Sequence, residues 1–247
     1  SALMTDTDNV RGGGTPVTQD TEPIAATDVA AASESHIPYG RQSIDDDDIA
    51  AVVSVLRGEW LTQGPAIDEF EDQLANKVHA QHAVAFANGT AALHAAMVAG
   101  GIGHNHSVVT SPLSFAASAN CARYVGAEPV FVDIDPATLN IDISAVGRCD
   151  ALVAVHYAGL PVELSALRAR PRLVVEDAAH ALGAMTPDGP VGNCAHSDMT
   201  GFSFHPVKTI TTGEGGAVTT NDADLADRLR RFLTHGIVRK PEEGGWY

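Results

Sequence analysis

Short apolar runs alternate with stretches of helical periodicity along most of the chain. The apolar runs lie at 83–86, 108–110, 130–133, 152–155 and 173–176, and the helical stretches at 90–99, 115–125 and 164–168. Continuous apolar runs separated by helices are typical of parallel strands that are buried on both faces. The pattern therefore predicts an α/β fold, a three-layer sandwich with a mostly parallel central sheet.

Two helices are predicted before the first strand. Ser43 is a suitable N-cap, and the acidic run 45–48 would occupy the first turn, where the helix dipole favours negative charge. Apolar residues then recur at helical spacing up to Gly58, and a second helix begins at Pro65. We interpret the acidic run as a solvated helix start rather than a metal site, and no metal site is predicted.

Residues 1–36 differ in composition from the rest of the chain. They are rich in Thr, Asp, Ala and Gly and contain almost no large apolar side chains. Such a segment cannot bury enough surface to offset the entropy of ordering, so we expect a disordered tail. Residues 37–247 are expected to form the folded part.

Composition narrows the classes of function. The 247 residues carry 15 Lys and Arg against 31 Asp and Glu, for a formal net charge of −16, which disfavours binding to nucleic acid. The sequence has no apolar run long enough for a membrane span and no basic and apolar leader at its start. Three cysteines without a CxxC pair argue against a disulfide framework. We therefore expect a cytoplasmic protein.

Polar residues follow several predicted strands, at the sheet edge where α/β proteins bind ligands. The stretch 87–91 places a glycine turn and a hydroxyl at a helix start, which suits a phosphate group, although helix capping by Thr90 explains it equally well. Glu176 and Asp177 end another strand, with His180 close behind. A carboxylate there suits a cationic ligand nitrogen, or it is only a helix cap.

Two further stretches add an amine and an aromatic ring. Lys208 lies between an aromatic strand, 202–204, and the glycine-rich turn 213–216. A partly buried lysine has a lowered pKa and can form a Schiff base, whereas the alternative is a surface lysine in a hairpin. Phe115 follows a strand and could stack on a heteroaromatic ring, or it could be a core residue.

Together these stretches indicate one ligand. A phosphate cradle, an acid for a ring nitrogen, a stacking ring and an amine match the needs of pyridoxal 5′-phosphate (PLP). The alternatives left open by the residues are a non-catalytic cofactor-binding or assembly module, and a fold that binds another phosphorylated ligand through 88–91 without a covalent bond to lysine.

The motifs at these positions resemble a known family. NGTAAL, EDAAHALGA and FSFHPVKTITTGEGG are similar to the DegT/StrS sugar aminotransferases, which have the aspartate-aminotransferase fold, PLP fold type I. The resemblance extends from about residue 37 to the end. The stretches 37–65, 155–161 and 203–222 are nearest to the pseudaminic-acid pathway subgroup, which acts on a UDP-linked 4-amino-4,6-dideoxy-N-acetylaltrosamine.

The resemblance implies roles for individual residues. The cofactor-binding residues would be Gly89, Thr90, Ala91, Phe115, Asp177, His180, Ser203 and Lys208. Of these, Lys208 would be catalytic and hold PLP as a Schiff base, and Asp177 would pair with the pyridine nitrogen. The substrate-binding residues would be Tyr39, Trp60, Leu61 and Thr62.

The resemblance also implies an activity and an assembly. We expect transfer of an amino group from L-glutamate to the 4-keto carbon of a UDP-linked deoxy-N-acetylhexosamine, or of another nucleotide 4-keto sugar, by a homodimer. Sugar dehydratases of the family have histidine where Lys208 stands, so transamination is favoured. Relatives continue well past Tyr247 with a small C-terminal domain, which we expect to be absent here.

Overall fold

Seven strands of the computed structural model form the central sheet. The structure describes Pro38 and residues 40–237, and the described residues from Gly40 onward belong to one unit, Tyr39–Tyr247. The strands of the sheet are β1 His82–Phe86, β2 Ser107–Thr110, β3 Glu128–Phe131, β4 Ala151–Val155, β5 Leu173–Asp177, β8 Met199–Ser203 and β9 Gly216–Thr220. Their order across the sheet is β1-β9-β8-β5-β4-β2-β3. The predicted tail at 1–36 lies outside the described residues.

The sheet is parallel except for β9, which pairs antiparallel with both β1 and β8. The remaining pairs are all parallel. A two-stranded hairpin, β6 Met185–Thr186 and β7 Gly189–Pro190, stands apart from the sheet. The prediction of an α/β sandwich with a mostly parallel sheet is confirmed.

Both faces of the sheet are covered because successive apolar side chains of its strands point to opposite faces. The helices are α1 Asp46–Arg57, α2 Pro65–Val78, α3 Gly89–Ala99, α4 Ala116–Tyr124 and α5 Ala223–Leu233. Val153 and Val175 pack with residues of α3, α4 and α5. Their neighbours Leu152 and Val174 belong to a different apolar cluster. Successive residues of β5 therefore face opposite sides of the sheet, which decides where its last two carboxylates lie.

Several predicted boundaries are wrong. Asp45, not Ser43, caps α1, because its side chain accepts from the Asp48 backbone while the Asp48 side chain accepts from the Asp45 backbone. The helix predicted at 164–168 is a single 3-10 turn, Leu164–Ala166, since the segment between Pro161 and Pro171 is too short for a stable helix. The strand predicted at 130–133 lies at 128–131.

Helix α1 has an exposed apolar face. None of its residues is buried, and Ile49, Val52 and Leu56 each expose more than half of their surface. No helix among the described residues is both long and apolar enough to cross a membrane.

Candidate active site

The carboxyl ends of β1 and β8 and the start of β9 meet at one edge of the sheet. Gly216, the first residue of β9, pairs with Phe86 on one side and with Ser203 on the other. A Cβ atom on Gly216 would lie 2.4 Å from the backbone of Asn88, so glycine is required for this close approach. The predicted phosphate stretch 87–91 is thereby held against the end of β8.

The start of α3 and Ser203 form a small cradle. The Asn88 side chain accepts from the Ala91 amide at 2.8 Å and caps the helix, so the cap is Asn88 rather than Thr90. The amides of Gly89 and Thr90, in the first turn, have no acceptor within the helix. A Cβ on Gly89 would lie 2.8 Å from the Ser203 Cβ and 3.3 Å from its hydroxyl oxygen. The cradle thus combines helix amides, the helix dipole and a hydroxyl, as an anion requires.

Lys208 and His180 are brought together on the same edge. The Lys208 Nζ lies 2.8 Å from the His180 Nε2. Desolvation lowers the pKa of the Lys208 amine, although the negative charge of Asp177 opposes this shift. Desolvation and the nearby Lys208 charge also lower the pKa of His180. Both shifts favour neutral nitrogens, and a neutral lysine amine is a nucleophile.

Asp177 lies at the end of β5 and is 6% exposed. One carboxylate oxygen accepts from the Ser118 hydroxyl at 2.6 Å and the other from the Ala179 amide at 3.2 Å. Ser118 is a contact that sequence reasoning missed, because it lies 59 residues away on α4. Its only sequence signal was a small polar residue within an otherwise apolar helix face.

Phe115 is 75% exposed. It does not join a hydrophobic core, so one of the two interpretations of its sequence position is excluded. Its backbone is extended and forms the N-cap of α4, one turn before Ser118, which is why the helix predicted at 115–125 begins at Ala116. The exposed ring is free to contact a ligand.

A second buried polar network lies on the other side of β5, and sequence reasoning missed it as well. The Glu176 carboxylate contacts the His156 Nε2 at 2.7 Å and the Thr200 hydroxyl at 3.0 Å, and it also accepts from the Ser197 hydroxyl. The Val162 amide donates to the His156 Nδ1 at 3.0 Å, so the Nε2 carries the ring proton and donates to Glu176.

The predicted substrate residues lie in a different place. Trp60, Leu61 and Thr62 line a cavity of about 280 Å³ between the end of α1 and the start of α2. None of the residues around Lys208 lines that cavity. Tyr39 lies outside the described residues.

The residues at the sheet edge fit PLP on their chemistry. The glycine-bounded cradle suits a phosphate, the buried Asp177 suits a protonated ring nitrogen, and the Lys208 amine suits an aldehyde. Predicted residues that the structure brings to this edge are Gly89, Thr90, Ala91, Asp177, His180, Ser203 and Lys208.

Comparison with known proteins decides the family. Residues 42–247 match the profile of the DegT/DnrJ/EryC1/StrS aminotransferase family. The chain belongs to this family. It is 39% identical over 217 residues to the UDP-4-amino-4-deoxy-L-arabinose–oxoglutarate aminotransferase of Shewanella sediminis, covering 83% of this chain and 54% of that protein.

Two solved structures are similar in fold. The PLP-form of the sugar aminotransferase Spr1654 from Streptococcus pneumoniae superposes with a TM-score of 0.75 at 27% identity, over 85% of this chain and 60% of that one. PseC of Helicobacter pylori, an aminotransferase involved in the biosynthesis of pseudaminic acid, superposes with a TM-score of 0.74 at 33% identity, over 82% and 57%. The predicted fold type, enzyme class and PLP cofactor are confirmed at the level of the family.

The chain spans 54% to 58% of the length of the curated relatives that it matches. The activity of the whole protein, its substrates and its assembly are therefore matters for proposal.

Proposed function

We propose that this protein transfers the amino group of L-glutamate to the 4-keto carbon of a UDP-linked deoxy-N-acetylhexosamine, with PLP as cofactor. The observation that carries the proposal is the Lys208 amine, which has a lowered pKa and lies 2.8 Å from His180 and near Asp177. The name of the Shewanella relative pairs a UDP-linked amino sugar with oxoglutarate, and the similarity to PseC favours a sugar of the pseudaminic acid type.

Lys208 would carry the chemistry of the reaction. Its amine would hold the cofactor through the cofactor aldehyde. With the amino donor bound, the Lys208 Nζ would act as the base that takes the proton from the donor α-carbon and then as the acid that gives it up. His180 Nε2 would hold this amine in place and accept its hydrogen bond.

The other proposed cofactor-binding residues would orient PLP and polarise its ring. When bound, PLP supplies an electron sink for the carbanion formed at the donor α-carbon. Asp177 would keep the ring nitrogen protonated, and Phe115 would cover one face of the ring. Gly89, Thr90, Ala91 and Ser203 would hold the phosphate through backbone amides and hydroxyls.

Substrate binding and assembly are further parts of the proposal. Tyr39 and the loop Trp60–Thr62 would contact the nucleotide-sugar, and the protein would act as a cytoplasmic homodimer. Light scattering on the purified protein tests the assembly. A monomer at the concentration of the activity assay would contradict the dimer.

Two half-reactions test the function. The PLP-loaded protein is mixed with L-glutamate, and 2-oxoglutarate is measured. A UDP-linked 4-keto-6-deoxy-N-acetylhexosamine, or a dTDP-linked 4-keto-6-deoxyhexose, is then added, and amino sugar is measured by mass spectrometry. We expect 2-oxoglutarate in the first step and amination of the UDP-linked sugar in the second.

One test variant and one control variant apply to both half-reactions. Lys208→Ala should remove both steps, whereas replacement of the exposed Lys77 by alanine should leave both intact. Turnover by Lys208→Ala at the wild-type rate would contradict the role of the lysine. Preference for the dTDP-linked sugar would contradict the proposed nucleotide, and amination of neither sugar would contradict the acceptor class.

A further inference from the structure

Ser118 is a fully buried residue to which the proposed reaction gives no role. Its side chain is inaccessible to solvent, and its hydroxyl lies 2.6 Å from the Asp177 Oδ2. A hydroxyl beside an ionised carboxylate donates the hydrogen bond, and such charge-assisted bonds are shorter and stronger than neutral ones. Ser118 therefore donates to the Asp177 carboxylate and fixes the position of its Oδ2.

The Asp177 carboxylate is held at both oxygens. The Ala179 amide donates to Oδ1 at 3.2 Å while Ser118 donates to Oδ2. Each carboxylate oxygen has about two lone-pair sites, so one donor on each oxygen fixes the plane of the group and leaves further acceptor capacity. A carboxylate fixed in this way is ready for one additional cationic donor.

Ser118 also links Asp177 to Phe115. The Ser118 amide donates to the Phe115 carbonyl oxygen at 3.0 Å, across the first turn of α4. The same residue thus contacts the acid through its side chain and the N-cap of the aromatic ring through its backbone. Ser118 therefore places Asp177 and Phe115, the two groups proposed to contact the cofactor ring, relative to each other.

The thiol of Cys121, which lies beside Ser118, does not compete for Asp177. The Cys121 thiol donates to the Ser118 carbonyl oxygen at 3.3 Å. Burial, together with the Asp177 charge, raises the pKa of Cys121 to about 12, so it stays a neutral thiol. Ser118 is the side-chain donor to Asp177 among the described residues.

We propose that Ser118 is a positioning residue for the amino transfer. It keeps the Asp177 carboxylate aimed at the ring nitrogen, and it keeps the first turn of α4, with Phe115, in register with that acid. This inference rests on the proposed function, because it needs the cofactor ring to contact Asp177 at its nitrogen and Phe115 on one face.

The test compares Ser118→Ala with Ser118→Thr, which keeps the hydroxyl. In the alanine variant the Asp177 carboxylate loses the donor that fixes its Oδ2. It then pairs less closely with the ring nitrogen, which is less fully protonated. The ring then withdraws fewer electrons, and the nitrogen that joins Lys208 to the cofactor becomes more basic. We expect the pH midpoint of the visible absorbance band to move upward in Ser118→Ala and to return toward the wild-type value in Ser118→Thr.

Kinetics give a second readout. Loss of one hydrogen bond to a charged group should lower kcat about tenfold, with KM for L-glutamate changed by less than about twofold. The control is Thr220→Val, at the far end of β9, which removes a buried hydroxyl that donates to the Asp198 carbonyl oxygen. That variant should lose stability without moving the midpoint.

Covalent labelling separates this inference from the proposed function. Reduction with borohydride should label Lys208 in the wild type and in every Ser118 variant, and a wild type without label would refute the proposed function itself. A labelled Ser118→Ala protein with the wild-type midpoint would overturn the role of Ser118 alone. If Ser118→Ala does not fold, Ser118→Cys, which is slightly larger than serine and only a weak donor, must show the same upward shift.

Discussion

Glu176 and Asp177 are neighbours in sequence, but their carboxylates serve different parts of the molecule. Glu176 faces the side of β5 where His156, Ser197 and Thr200 surround it with donors. Asp177 faces the opposite side and has one side-chain donor, Ser118, and one backbone donor. Both residues are buried. The number of remaining acceptor sites, rather than burial, distinguishes a carboxylate that holds the fold from one that is ready for a ligand.

The largest expected effect is a loss of activity when Asp177 is replaced. Asp177→Asn keeps the shape of the side chain but removes the charge that would hold a protonated ring nitrogen. We expect kcat to fall by about a hundredfold or more, while the free energy of unfolding of the cofactor-free protein changes by only about 1 kcal/mol. Steady-state kinetics and urea unfolding measure the two quantities. The matched control is Asp72→Asn, at an exposed position of α2, and wild-type kcat in Asp177→Asn would contradict the assignment.

For Glu176→Ala we expect a loss of stability instead. Removal of the Glu176 carboxylate leaves the His156 ring N–H and two buried hydroxyls without their acceptor. We expect the free energy of unfolding to fall by about 3 kcal/mol, measured by urea unfolding of the cofactor-free protein. Glu163→Ala, at an exposed position, should change it by less than about 0.5 kcal/mol. Equal stability of the Glu176→Ala and Glu163→Ala proteins would remove the distinction between the two carboxylates.

The smallest expected effect is a difference between the wild type and Glu176→Gln in how steeply the free energy of unfolding falls at acid pH. Burial alone would raise the pKa of the Glu176 carboxyl, but hydrogen bonds from His156, Ser197 and Thr200 outweigh burial and hold the pKa below its ordinary value. A lowered carboxyl pKa adds stability that is complete above the ordinary glutamate value and is lost as pH falls through the native value. Between about pH 5 and pH 3, the wild type should therefore lose stability more steeply than Glu176→Gln. Parallel curves in urea unfolding would show that Glu176 is not the responsible group.

The sequence predicted the parts of the site that follow directly from local order. Asp177 ends β5, Gly89 begins α3 and Lys208 lies in the turn that follows β8. The strand ends of a parallel sheet meet at one edge, so residues at or just after them come together. Ser118 and His156 were missed because their partners lie 59 and 20 residues away. Such contacts depend on which strands and helices become neighbours, and apolar periodicity does not specify this.

The boundaries of the helices were also only partly predictable from the sequence. The sequence predicted a helix after residue 43, but the reciprocal bonds between Asp45 and Asp48 decide where it begins. The apolar stripe of α1 was also predicted, yet the described residues leave it exposed. Periodicity indicates that a helix exists and which side is apolar, but it does not identify the surface that the apolar side will contact.

The central claim is that the Lys208 amine forms the covalent bond to PLP. The most direct measurement is borohydride reduction of the PLP-loaded protein, followed by protease digestion and mass mapping of the phosphopyridoxyl label. The account predicts a single labelled peptide that contains Lys208, and no label in Lys208→Ala. Label on another lysine, or equal labelling of Lys208→Ala, would contradict it.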